Sequence, residues 1–415
     1  MSKKSRLSTD SYKGVRDFYP GDQALLNYLT ATMKRVAERF GYVEYGASIL
    51  EPAELYKAKG AENEEIAKEQ TYTFLDRGGR EVTLRPEMTP TAARMVAKMR
   101  RELGLPLRWY SIPNLFRYER TQRGRLREHW QLNVDLFGSN SRAADAEIIM
   151  VAHALLKAFG ATEDDFVIKL GSRSFLDRVV ERFGLSADNA KKLRALLDRK
   201  AKVEHGEFER ELTELGVELE ILSPENPPQD VKEVLALLEE LGVTNAVFDP
   251  SIVRGFDYYT GVVFEVFDTH PDNNRALLGG GRYDNLLALF DDEKVPGVGF
   301  GMGDVTITDF LEVRHMLQEY APPTKVYIAV AAAKLAPEAM KLAGELRAQG
   351  VNAATDFGDK KLSKQIEAAD KHKIPYLLVV GEDEVASGNF KVKDLATGEE
   401  KKLSRAELSQ FFLNL

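Results

Sequence analysis

Cysteine is absent from this 415-residue chain, which excludes disulfides, thiolate zinc sites and a cysteine nucleophile together. Long apolar runs are missing too. Nothing approaches the roughly 18 consecutive apolar residues that a membrane-spanning helix needs, so no membrane partner is expected. The opening "MSKKSRLSTD" has no apolar segment of the kind a secretory leader carries, and a cytoplasmic setting is the expectation. The six histidines, His129, His153, His205, His270, His315 and His372, fall at no metal-ligand spacing. An excess of positive charge is also lacking: 57 Lys and Arg face 65 Asp and Glu, a net of −8. A polyanion would therefore have to be met by a local cluster.

One such cluster exists. "RYERTQRGRLREHWQ", residues 117–131, carries Arg117, Arg120, Arg123, Arg125 and Arg127. Around it, a hydrophobic content of 44% suits well-packed cores, and the length suits two or three domains. Helical spacing marks 22–40, and "REVTLRPEM" alternates like a strand before a helix from Thr91. "LRWYSIPNLFRYE" and "HWQLNVDLFG" predict two strands joined by the arginine-rich loop, and a long charged loop points to function. Residues 172–245 are mostly helical in pattern and highly charged. Strand signals return at "VRGFDYYTGVVFEVF" and "VGFGMG", and a proline pair at 322–323 marks a boundary. Beyond it, strand-like and helical segments alternate, which predicts a small α/β domain.

Four stretches place charged or hydroxyl residues among strand-like apolar neighbours: "RPEMTP" (85–90), the hairpin 117–138, "VRGFDYYTGVVFEV" (253–266) and "GGGRYD" (279–284). A charge on a covered strand is costly unless it is paired or faces a ligand. Pairing within the chain, Arg117 with Glu119 and Arg254 with Asp257, would satisfy the rule as well as a ligand would.

In order, and together with "GVRDFYP" (14–20), these stretches resemble the histidyl-tRNA synthetases, which are class II aminoacyl-tRNA synthetases. The resemblance runs from Gly14 to the C-terminus. It implies an α+β fold, an antiparallel sheet flanked by helices. The catalytic core would comprise 1–171 and 246–321, with a helical insertion at 172–245 and an α/β anticodon-binding domain at 324–415. The implied reaction joins L-histidine to tRNA(His): the carboxylate attacks the α-phosphate of ATP, giving histidyl-adenylate and pyrophosphate, and the histidyl group then passes to the tRNA. ATP with Mg²⁺, tRNA(His), L-histidine and a homodimer follow from the same resemblance. Two other readings are a histidine-binding regulatory paralogue of histidine biosynthesis and an inactive RNA-binding scaffold. Such paralogues generally lack the anticodon-binding domain and the full arginine set.

The resemblance also assigns roles. Arg117 and Arg254 would grip the α-phosphate, Glu119 the adenine amino group and Arg125 the terminal phosphates. Arg120, Arg123 and Arg127 would reach the tRNA acceptor end. Glu87, Thr89 and Gln131 would hold histidine's α-amino group, with Met88 also among the histidine-binding residues, Asp135 as the hairpin acid and Tyr258, Tyr259 and Tyr283 along the imidazole. Two positions depart from the family pattern. Ser48 stands where a proline is usual. "GDVT" replaces a Gly-Leu-Glu-Arg run, so Thr306 stands where an arginine would stack on adenine. Either ATP is held more weakly or another arginine, such as Arg282 or Arg314, takes that place.

Overall fold

The computed structural model describes residues 7–58, 70–120, 124–200, 204–252, 258–273, 275–290, 294–358 and 360–415. It divides into two units, Met1–Gln318 and Glu319–Leu415.

In the first unit, alternation along "HWQLNVDLF" produces the long strand Glu128–Phe137. Leu132, Val134 and Leu136 point into the main core. The period of two therefore carries Gln131, Asn133 and Asp135 to the opposite face. This strand is central to a nine-stranded sheet ordered Val43–Glu44, Leu107–Ser111, Glu128–Phe137, Gly297–Gly303, Ala276–Arg282, Val262–Asp268, Phe166–Ser172 and Ala246–Phe248, with Asn114–Phe116 paired to Glu128–Phe137. Pairing is antiparallel except at the two ends, where Val43–Glu44 runs parallel to Leu107–Ser111 and Phe166–Ser172 parallel to Ala246–Phe248. The arginine-rich hairpin is thus built with a break at Ile112–Pro113, where proline can donate no ladder bond.

Helices Pro20–Arg39, Arg142–Ala158, Gln229–Glu240 and Asp304–Val313 pack into the core behind this sheet through residues such as Met33, Ile149, Val234 and Phe310. On the other face, the helix Thr89–Met99 joins Phe137, Tyr258 and Tyr283 in a second cluster. Residues of the expected insertion split in two. Leu176 to Leu222 form a core of their own, whereas the helix Gln229–Glu240 belongs to the main one. At the junction Asp230 accepts hydrogen bonds from Ser172 (2.6 Å) and Ser174 (3.0 Å).

Strands Leu50–Pro52, Glu81–Leu84 and Tyr72–Leu75 form a small antiparallel sheet. The buried Arg85 follows it and donates to the carbonyls of Ala47 (2.8 Å), Ser48 (3.3 Å) and Asn114 (3.1 Å). Its many donors are met by backbone, so Arg85 acts as a bracket and is not directed at a ligand.

The second unit has a five-stranded sheet ordered Ala353–Thr355, Val326–Val330, Tyr376–Val380, Asn389–Asp394 and Glu400–Ser404, with its own core. The first three strands are parallel and the last two antiparallel to their neighbours. Among the described residues, no helix is long and apolar enough to cross a membrane.

Candidate active site

A pocket of about 190 Å³ opens on the sheet face that carries Gln131 and Asn133. Glu87, Thr89, Arg117, Tyr258, Tyr259 and Tyr283 line it as well. Its floor is glycine. Gly279 lies opposite Gly301, and Gly281 opposite Gly299, on adjacent strands. A β-carbon at Gly299 would stand 2.4 Å from the carbonyl oxygen of Val134, and one at Gly301 would stand 2.2 Å from Gln131 Nε2. The sequence leaves the side chains out here because the wall behind is already full.

Glu87 sits at the turn into the helix Thr89–Met99 with 4% exposure. Tyr258 donates to its Oε2 at 3.3 Å. Burial pushes its carboxyl up to about 7, while the positive charge of Arg117 and the Tyr258 bond pull the other way. Asp135, 1% exposed, stands behind Tyr283, whose hydroxyl donates to Oδ1. Oδ2 is buried with no hydrogen-bond partner among the described residues, and burial pushes this carboxyl up to about 7 as well. Gln131 Nε2 donates to Asn133 Oδ1 at 2.8 Å, and Asn133 Nδ2 to the Gln131 carbonyl at 3.0 Å, which fixes the amide. Tyr258, Tyr259 and Tyr283 meet with ring centroids 5.0–6.3 Å apart. Met88, grouped with the histidine-holding residues by its place in "RPEMTP", is wholly buried and does not line the pocket.

A second pocket, about 240 Å³, is lined by Arg117, Glu119, Arg125, His129, Gln131 and Thr306, over Gly279, Gly301 and Gly303. Arg117 and Gln131 therefore belong to both. Arg117 Nε donates to the Pro86 carbonyl at 3.0 Å, and among the described residues no carboxylate lies within ion-pair distance of its guanidinium. Glu119 pairs with Arg125 at 3.3 Å, so the Arg117–Glu119 pairing that would have explained both residues is not made. His129 is pushed down to about 3 by burial, with the Arg117 charge adding to it. It presents a neutral ring.

The remaining cationic residues divide. Arg120 is exposed. Arg127, expected at the tRNA, is occupied instead. Its guanidinium lies 4.0 Å from the Tyr118 ring and donates to the Glu119 carbonyl (3.3 Å) and the Tyr12 hydroxyl (3.2 Å). Its backbone N–H donates to the Gly14 carbonyl at 2.8 Å. Arg127 thus straps the N-terminal segment to the hairpin. Arg254 and Arg123 lie outside the described residues.

The "GDVT" departure also has a structure. Asp304 pairs with Arg16 of "GVRDFYP" at 2.7 Å and accepts from the Trp130 backbone N–H at 2.9 Å, joining hairpin, N-terminal segment and helix. The Thr306 hydroxyl donates to the carbonyls of Leu277 (2.8 Å) and Gly303 (3.1 Å), so it brings no charge to the pocket. Neither proposed substitute replaces the arginine. Arg282 is 3% exposed and held by Asp145, Asp284 and the Ser139 carbonyl. Arg314 is held by Asp165 and Asp268.

Two residues of the site had not been singled out. Asn133 had a signal, since it lies midway between Gln131 and Asp135 in a period of two. Tyr56, whose hydroxyl donates to the Glu87 carbonyl at 3.2 Å from 31 positions away, had none.

The family model for histidyl-tRNA synthetase matches residues 14–305, and that for an anticodon binding domain matches 325–415. The histidine–tRNA ligase of Leptospira biflexa is 42% identical, covering 98% of both chains. That of Thermoplasma volcanium is 34% identical, also covering 98% of both. The crystal structure of histidyl-tRNA synthetase from Nostoc sp. PCC 7120 superposes with a TM-score of 0.82 at 24% identity, over 99% of this chain and 100% of that one.

Proposed function

The chain belongs to the histidyl-tRNA synthetase family, and from that premise we propose that it ligates L-histidine to tRNA(His) at the expense of ATP. The observation that carries the reading is that one guanidinium, Arg117, lines both pockets. A planar fork at such a junction suits a carboxylate and a phosphate that must meet.

In this reading, the 190 Å³ pocket takes histidine. Its ammonium is met by Glu87, and Gln131 and Thr89 supply further oxygens. The imidazole lies along Tyr258, Tyr259 and Tyr283, with Asp135 behind as the acid that fixes the Tyr283 hydroxyl. A pocket of polar partners rejects an amino acid that cannot pair with them. ATP takes the 240 Å³ pocket, with its base against the neutral His129 ring near Glu119 and its outer phosphates toward Arg125. The carboxylate oxygen attacks the α-phosphorus, the bond to the bridging oxygen breaks, and pyrophosphate leaves. The tRNA 3′-terminal hydroxyl then attacks the activated carbonyl, and AMP leaves. Arg117 neutralises charge around phosphorus, where most of the rate is gained. Arg254 is proposed as its partner from the opposite side. ATP enters with Mg²⁺ held by its own phosphates. Among the described residues, no group of three or more acids and histidines could hold a metal ion.

Exposed Val43 and Leu50, on the strands that flank Ser48 in the chain, supply apolar side chains suited to a homodimer face. A cytoplasmic setting completes the reading.

The test is histidine-dependent exchange of pyrophosphate into ATP, followed by charging of tRNA(His). Exchange and charging are expected. Histidine binding without exchange in a folded sample would overturn the ligase reading in favour of a regulatory paralogue.

A further inference from the structure

The short stretch from Arg85 to Met88 serves both pockets. Its Pro86 carbonyl accepts from Arg117 Nε at 3.0 Å, and Arg117 lines the two cavities. The next residue, Glu87, places its side chain in the wall of the 190 Å³ pocket. One peptide unit therefore joins the shared guanidinium to the acid. Pro86 and Glu87 lie outside any helix or strand. What fixes that peptide then decides how well both groups are aimed, and small misplacements at a reacting centre are costly.

Tyr56 supplies a hold from outside. It lies in the one-turn helix Glu54–Lys57, is 2% exposed, and lines neither pocket. Its hydroxyl donates to the Glu87 carbonyl at 3.2 Å and lies 3.0 Å from the hydroxyl of Thr91, itself fully buried in the first turn of the helix Thr89–Met99. A phenol has one proton to give. With that proton on a carbonyl, which can only accept, Thr91 must donate to Tyr56. The chemistry thus orders the bonds from Thr91 to Tyr56 to the Glu87 peptide. Burial pushes the Tyr56 phenol well up, so it remains a donor. Its base is firm as well. Glu51, 4% exposed on the preceding strand Leu50–Pro52, pairs with Arg94 of the same helix at 2.7 Å, and that strand is paired with Glu81–Leu84.

We infer that Tyr56 is a positioning residue for the reaction: its hydroxyl fixes the Glu87 peptide, and through it aims the Glu87 carboxylate at the ammonium of histidine and Arg117 at the α-phosphate. The inference rests on the ligase reading above and adds to it a residue that touches no substrate. Tyr56→Phe tests it, since the variant loses one oxygen and keeps the ring. Pyrophosphate exchange is followed against histidine and against ATP, beside calorimetric binding of histidine. The histidine KM and dissociation constant should rise roughly 5- to 50-fold, the cost of one buried hydrogen bond left unmade, and kcat should fall with the aim of Arg117. The KM for ATP should stay within twofold, because Glu119, Arg125 and His129 are carried by the hairpin. Thr91→Ser, which keeps the hydroxyl, should match the parent, whereas Thr91→Val should weaken histidine by a smaller factor than Tyr56→Phe. A purely structural tyrosine would lower thermal stability and leave the histidine KM within twofold of the parent. That outcome, or equal rises in both KM values, would overturn the inference. Should Tyr56→Phe not fold, the Thr91 pair decides: equal histidine affinity in the two variants would overturn it. A parent that binds histidine without exchange would strike the ligase reading instead, and the calorimetric comparison would still test the hold of Tyr56 on Glu87.

Discussion

Asp145 and Asp135 are both almost fully buried in the first unit, at 2% and 1% exposure, yet their surroundings are opposite. Asp145 meets Arg282 at 2.8 Å and Arg142 at 3.4 Å. Asp135 meets only a tyrosine hydroxyl, and one of its oxygens meets nothing among the described residues. Glu87 resembles Asp135: a tyrosine hydroxyl at 3.3 Å, and Arg117 nearby but not in ion-pair contact. Burial disfavours the charged form of all three acids. Where the chain supplies the countercharge, the desolvation is offset internally. At Glu87 and Asp135 no ion pair is made among the described residues, the state that the proposed histidine site calls for.

The largest effect should come from removing the internal countercharge. Arg282→Ala leaves Asp145 buried without its main partner, and denaturant unfolding should show a loss of about 3–5 kcal/mol. Arg117→Ala should do the reverse. Its unfolding free energy should stay within about 1 kcal/mol of the parent, as for a residue with one hydrogen bond. Its pyrophosphate exchange should fall roughly 10²- to 10³-fold, as when a charge-stabilising donor is lost. A destabilised but active Arg117 variant would break the comparison.

Glu87→Gln should weaken histidine binding about 10- to 100-fold, measured calorimetrically, because a charged hydrogen-bond partner is lost. It also sharpens the comparison through pH. An acid whose pKa is raised by folding contributes stability that is complete below its unfolded value and disappears as pH rises through the folded one. For Glu87 that window runs from 4.5 to about 7. The unliganded parent should lose stability across it relative to Glu87→Gln, and histidine should narrow the gap by supplying an ammonium. The smallest effect belongs to Arg127→Lys. It keeps the charge but loses the planar stack on Tyr118 and the bond to the Glu119 carbonyl, so the KM for ATP should rise a fewfold, about 1 kcal/mol.

Much of this was legible in the sequence where the information is local. The alternation of Leu132, Val134 and Leu136 with Gln131, Asn133 and Asp135 assigns the strand and the face that carries the site. The fate of the arginines was not legible, because each is decided by partners far along the chain. Arg282 finds Asp145 across 137 positions, and Arg314 finds Asp165 across 149. Arg127 looks like its neighbours in "RGRLRE" until the Tyr12–Gly14 segment is laid against it. Asp304 likewise makes sense only beside Arg16.

The glycine floor sets a limit for anyone wishing to redirect the pocket to a larger amino acid. Room is usually made by trimming a side chain, but Gly279, Gly299 and Gly301 have none to trim, and beneath Gly299 stands main chain that cannot rotate away. Any widening must come from the tyrosine wall or the Glu87 turn, the same groups to which the proposed function gives the hold on histidine. A change of substrate is therefore tied to surrendering the old grip in the same step.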